Sequence, residues 1–198
     1  MKKNKHENVT TGYIEGYYGR LLSWKNRKHI IKSLQKNNMN TYFYAPKEDK
    51  NHRLNWRENY DFKWRKDFSE FTKFSKKHNI NIIAGIAPGL DFDFNNFNNK
   101  MQNKESFDFT LLLNKAKQLL DDGAAAIALL LDDIPEDFKN KFGTQISEGA
   151  SHGILANALS ESLGKNIYFV PRVYADELIE YEPYYLKDLG SVINQRTK

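Results

Sequence analysis

The chain contains no cysteine. That excludes a disulfide framework and any thiolate-ligated metal, and no set of His, Asp and Glu shows convincing metal spacing either. No metal and no cofactor are expected. No apolar run approaches the ~20 residues needed to span a bilayer. The opening MKKNKHENVTTGY is basic, but no apolar segment follows it, so it does not read as a secretory signal. A membrane partner is therefore not expected, and a cytoplasmic location is the default. Neither G-x-G-x-x-G nor G-x-x-x-x-G-K-[ST] follows any strand-like segment, which weakens a nucleotide-binding reading. No flexible linker and no internal repeat interrupts the chain.

Charge of one sign is only mildly in excess, with 30 Lys+Arg against 25 Asp+Glu, a net +5. Basic proteins include nucleic-acid binders. Here the lysines are scattered, and the densest clusters, Lys2-Lys3 with Lys5 and His6, and Lys76-Lys77-His78, sit in no nucleic-acid motif. A nucleic-acid partner is not expected.

What is present is a globular composition. The 198 residues are 40% hydrophobic, enough for one domain with a substantial core. Eleven Tyr, 13 Phe and 3 Trp make an aromatic-rich chain. Aromatic faces stack on sugars, but core filling is the commoner use.

Strands and helices alternate. Thr11–Glu15, Thr41–Tyr44, Asn81–Ile86, Ala125–Leu131 and Ile167–Val170 read as strands. Helices are expected from an N-cap at Ser23 to Asn37, over Asp67–His78, over Phe107–Leu120 with Gly123 as a C′ cap, and over Ser147–Leu163 closed by Gly164. A long polar loop covers Lys47 to Tyr60. Near-continuous apolar strands alternating with helices indicate an α/β fold with a parallel sheet. A (β/α)₈ barrel and an open doubly wound sheet both fit, and in both the chemistry belongs at the C-terminal ends of the strands.

Those ends carry polar residues: Glu15-Gly16, then Lys47, Glu48 and Asp49, then Asp91 and Asp93, then Asp132-Asp133, then Arg172 and Tyr174. The Asp pair follows seven apolar residues, AAIALLL. Neighbouring strand residues point to opposite faces, so two adjacent Asp can serve one site only where strand gives way to loop. Ile134-Pro135 supplies such a break. Two close carboxylates split their protonation, giving a base or stabiliser beside an acid. The plain alternative is a helix N-cap: Asp, then Pro135, with Glu136 and Asp137 in the first turn. On the dipeptide alone the cap is the stronger reading. Asp121-Asp122, before Gly123, reads as a solvated pair at a helix end. Lys47 reads as a surface lysine or as a rim residue holding a hydroxyl, Tyr174 as core or rim, and His52 as a surface residue among charged neighbours.

Five stretches, in order, resemble glycoside hydrolase family 84: YIEGYYGRLLSW, NTYFYAPKED with HRLNWRENY, GIAPGLDF, ALLLDDI and YFVPRVY. Together they span about residues 11–175. The resemblance implies a partial TIM (β/α)₈ barrel of about the first five β/α units, and it favours the site reading of Asp132-Asp133 over the cap. It implies a β-N-acetylglucosaminidase working by substrate-assisted retention, an exception to the scheme with a carboxylate nucleophile. Asp132 would orient the acetamido N–H and stabilise developing positive charge. Asp133 would protonate the leaving oxygen and later activate water. Gly16, Lys47 and Tyr174 would contact the sugar. The substrate would be a GlcNAc-bearing glycan or glycoprotein.

Departures from the family pattern shape the remaining expectations. Tyr17 stands where Phe is common, and Arg172-Val173 replaces the usual Thr-Glu before the Tyr. The family's later sugar-binding Trp, Asn and Asp have no counterpart in YEPYYLKDLGSVINQRTK. Residues 1–9 are expected to be disordered or extended, and residues 10–198 to form a catalytic barrel incomplete at its C-terminus. A second chain or self-association is then needed to complete the barrel. Two alternatives stand beside the enzyme: a truncated non-catalytic relic or sugar-binding module of the same fold, and an unrelated phosphate-handling barrel suggested by Lys47 alone.

Overall fold

The computed structural model describes residues 9–98, 103–143, 145–179 and 183–197. The expectation for residues 1–8 lies outside them. The element order is β1 (Gly12–Glu15), α1 (Trp24–Lys36), β2 (Thr41–Tyr44), α2 (Phe62–Lys77), β3 (Asn81–Ile86), α3 (Phe94–Asn98), α4 (Phe107–Asp121), β4 (Ala126–Leu130), α5 (Phe138–Phe142), α6 (Glu148–Leu163), β5 (Tyr168–Val170), α7 (Asp176–Ile179) and α8 (Tyr185–Val192). The five strands form one sheet in the order β1-β2-β3-β4-β5, every neighbour parallel. A doubly wound sheet reverses its strand order partway, whereas a TIM barrel adds strands sequentially around a ring. The unbroken order decides for the partial barrel. Beyond α8 the chain turns back towards β5, where Ile167 and Thr197 form a parallel bridge and the Ile167 N–H donates to the Arg196 carbonyl at 3.0 Å.

Local chemistry fixes the helix ends. Ser23, Asp61, Ser106 and Ser147 cap α1, α2, α4 and α6 by accepting a backbone N–H three residues on. Gly164 closes α6 in the left-handed conformation. α2 starts five residues before the sequence expectation because Asp61 caps it, so Trp64 joins the apolar stripe of Phe68 and Phe71. Asp122 is not simply solvated. It is buried at the end of α4, where Arg65 donates to both of its carboxylate oxygens at 2.8 Å.

Register sorts the strand residues into two faces. Tyr13, Tyr42 and Ile82 align, as do Glu15, Tyr44 and Ala84, and these face the helix layer and the main core. Ile14, Phe43 and Ile83 align on the opposite face, joined by Ala45, Ala128, Leu130, Tyr168 and Val170. This second face is the one a closed barrel turns inward. Ile14 on it is 64% exposed. Period-2 alternation then predicts where residues just past each strand point. Gly16 continues the row of Ile14, Lys47 that of Phe43 and Ala45, and Asp132 that of Ala128 and Leu130.

Candidate active site at the strand ends

Strand alternation would send Asp133 to the face opposite Asp132. The backbone prevents it: Asp133 adopts φ +54°, a left-handed conformation that L-residues other than Asn, Asp and Gly rarely adopt. The reversal swings the Asp133 carboxylate back beside its neighbour. The break comes one residue earlier than Ile134-Pro135. The cap reading fails, because α5 is preceded by Asp137, whose side chain makes no capping bond.

Lys47 brings the pair together. Its Nζ donates to Asp132 Oδ2 at 2.6 Å and forms an ion pair with Asp133 Oδ2 at 3.2 Å. The Lys47 side chain is 1% exposed, that of Asp132 14% and that of Asp133 33%. The three form a gradient from a sealed ammonium to a carboxylate that faces outward. Asp132 Oδ1 is buried and has no hydrogen-bond partner among the described residues. A shielded carboxylate oxygen without a donor is rare enough to call for an explanation.

Gly16 lies just past β1 on the same rim, and two residues on, the Tyr18 hydroxyl donates to Asp133 Oδ2 at 3.2 Å. Tyr174 shares the rim, four residues past β5, and is 58% exposed. It makes no hydrogen bond to the other four positions. The residue before Val173 explains part of that local geometry. Arg172 is buried and clamps Glu148 of α6 through two bonds of 2.7 and 2.5 Å, with Glu136 3.6 Å away.

The remaining rim carboxylates divide from the site. Glu15 turns into the helix layer, held by Arg27 at 2.8 and 2.9 Å. Asp49 is buried and accepts from Tyr44 at 2.6 Å and Tyr60 at 2.9 Å. Burial lifts both tyrosines well above the ordinary phenol range, so they stay neutral donors. Asp91 holds Trp56 and Arg57, and Asp93 accepts the Asn96 N–H at the start of α3. These groups build the loops.

His52 is not a surface residue. It is fully buried, its Nδ1 lies 2.9 Å from the Gly85 carbonyl, and its own carbonyl accepts the Ala87 N–H at 2.9 Å. Burial lowers its pKa from 6.5 to about 4, with lesser effects from the Gly85 bond, Asp49, Lys47 and Asp132. It is neutral at pH 7 and pins the β2–α2 loop to the end of β3. The residues missed from sequence are Tyr18, His52 and Arg53, whose guanidinium donates to the Tyr18 hydroxyl at 2.6 Å and to the Asp133 carbonyl, all on segments flanking site positions. The available signal was sequence proximity: Tyr18 lies two residues past Gly16, and His52-Arg53 five and six past Lys47.

Comparison with known proteins places the chain in a family and supports the fold. The family described as β-N-acetylglucosaminidase matches residues 11–198, and the chain belongs to it. The protein O-GlcNAcases of Rattus norvegicus and Mus musculus are each 36% identical over 123 residues, covering 62% of this chain. The chain spans 12% of the length of these relatives. Among solved structures, CpGH84B matches with a TM-score of 0.79 at 26% identity, over 94% of this chain and 32% of that one. A mutant O-GlcNAc hydrolase of Thermobaculum terrenum matches with a TM-score of 0.77 at 26% identity, over 94% of this chain and 39% of that one. Among the described residues no helix is long and apolar enough to cross a membrane.

Proposed function

We propose that this rim hydrolyses β-linked N-acetylglucosamine by a substrate-assisted, retaining route. The substrate is O-GlcNAc on protein or terminal GlcNAc on a glycan. The observation that carries the reading is the Lys47 ammonium bridging two adjacent carboxylates at the end of β4, in a chain whose relatives are protein O-GlcNAcases. An acetamido group that attacks its own anomeric carbon must be oriented through its N–H. Asp132 Oδ1, shielded and without a donor, supplies a matching acceptor. As positive charge develops on the acetamido nitrogen, a nearby carboxylate stabilises it. Protonating the leaving oxygen requires a carboxyl that reaches outward, and Asp133 is the more exposed of the two. Lys47 and Gly16 line the sugar side, with Tyr174 closing over the acetamido group. A cytoplasmic place of action belongs to the same proposal, and a chain without cysteine is compatible with a reducing compartment.

The test is hydrolysis of aryl β-GlcNAc substrates of graded leaving-group ability. Asp133→Asn should depress turnover of poor leaving groups far more than of activated ones. Asp132→Asn should depress both, because the acetamido group must be oriented in either case. Equal losses for Asp133→Asn across the series would refute the acid role. GlcNAc binding without any turnover would favour the sugar-binding module, and the absence of both binding and turnover would overturn the proposal.

A further inference from the structure

The conformation of Asp133 needs a cause, and the structure offers one outside the carboxylate–lysine cluster. Arg53 lies on the β2–α2 loop beside the buried, doubly anchored His52, so its backbone is fixed relative to β3. Its guanidinium reaches across the rim and makes two bonds. Nη1 donates to the Tyr18 hydroxyl at 2.6 Å, and Nη2 donates to the Asp133 backbone carbonyl at 2.5 Å. The Arg53 Cζ also lies 5.8 Å from the centroid of the Tyr18 ring. One planar fork therefore ties together the segments after β1, β2 and β4.

Donor bookkeeping gives this geometry a chemical consequence. A guanidinium has only donors, so the Tyr18 oxygen must accept from Arg53. Its single proton is then free to point elsewhere, and Asp133 Oδ2 lies 3.2 Å away. Oδ2 already faces the Lys47 ammonium at 3.2 Å. It is thus approached by two donors, while Oδ1 takes none among the described residues.

We infer that Arg53 is a positioning residue for Asp133. It holds the left-handed turn through the backbone carbonyl and sets the Tyr18 hydroxyl as a donor to Oδ2. The mobile proton of the acid step is thereby assigned to Oδ1. The inference rests on the acid role proposed for Asp133, but its geometric half stands without it.

Two measurements on the full chain separate the two halves. The first is independent of activity: the backbone ¹³C shifts of Asp133 and the amide exchange of Ile134, compared between the parent and Arg53→Lys. Lysine keeps the charge but lacks the fork. The signals of Asp133 and Tyr18 should move while those of Ile127 and Leu129 in β4 stay in place, and Tyr18→Phe should leave the Asp133 backbone signals near parent values. Unchanged Asp133 signals in Arg53→Lys would overturn the inference. The second is kinetic. Arg53→Lys should lower kcat at least tenfold on aryl β-GlcNAc substrates with poor leaving groups, with KM and turnover of activated substrates nearly unchanged. A uniform loss across leaving groups would reduce Arg53 to a fold-stabilising residue and overturn its link to the acid. If the parent hydrolyses nothing, the functional reading fails while the shift measurement still decides the positioning of Asp133.

Discussion

Replacing Glu15 by Gln should unfold the edge of the barrel without touching the proposed chemistry. Glu15 and Arg27 are 1% and 2% exposed. Arg27 donates to both carboxylate oxygens, and the Tyr42 hydroxyl donates to one of them. The guanidinium lies beside the stacked Trp24 and Tyr44 rings, 4.6 Å from the Trp24 centroid and 4.9 Å from that of Tyr44. Gln keeps the shape and one acceptor but removes the charge, leaving a cation buried in an aromatic layer. Breaking a buried pair in this way costs about 3–5 kcal/mol. For a chain of this length about 4 kcal/mol corresponds to a fall of about 12 °C in Tm. The coupled nature of the pair supplies the control. Glu15→Leu with Arg27→Met removes both charges together, and the double variant should recover most of the loss, since apolar replacements of buried pairs are often neutral or stabilising. Thermal and urea unfolding followed by circular dichroism gives both numbers. A single-variant loss below about 1 kcal/mol, or a double variant as unstable as the sum of its singles, would refute the reasoning.

Other outcomes can be checked alongside. His52 and His152 are buried, and burial lowers them from 6.5 to about 4 and about 3 respectively. The unfolded chain therefore binds more protons below pH 6.5. Stability should be flat above that pH and fall as pH drops towards 4, by about 1.4 kcal/mol per pH unit for each histidine. Urea midpoints between pH 7 and 5 measure this limb, and His152→Gln should remove about half of its slope. A methyl group at Gly12 would sit 1.8 Å from the Thr41 carbonyl oxygen, so Gly12→Ala should cost about 3 kcal/mol and deprotect the β1 amides first in hydrogen exchange. With Ile14 64% exposed and Tyr168 and Val170 half-buried on the inner face, residues 1–198 expressed alone should self-associate. Light scattering would show mass rising with concentration, and a monomer at all concentrations would count against that expectation.

Sequence alone determined the layout. Apolar runs separated by capping residues placed all five strands to within a residue at each end and the caps at Ser23 and Gly164, because those signals are local and read along the chain. It also placed Gly16, Lys47, Asp132, Asp133 and Tyr174 past strand ends, where a parallel sheet concentrates chemistry. Tertiary structure decided what is not local. The sequential strand order separated a partial barrel from a doubly wound sheet, since pairing partners are not written in either strand alone. Which rim charges face the candidate site depended on which side each could be neutralised: Glu15 found Arg27, Asp91 found Arg57, and Lys47 was left to Asp132 and Asp133. A buried charge is tolerated only with a partner, and partners 12 to 86 positions apart in the sequence meet only in the folded chain. His52, polar and set among charged neighbours in sequence, is fully buried because its ring nitrogen reaches the Gly85 carbonyl across the sheet end, a contact no composition or spacing announces.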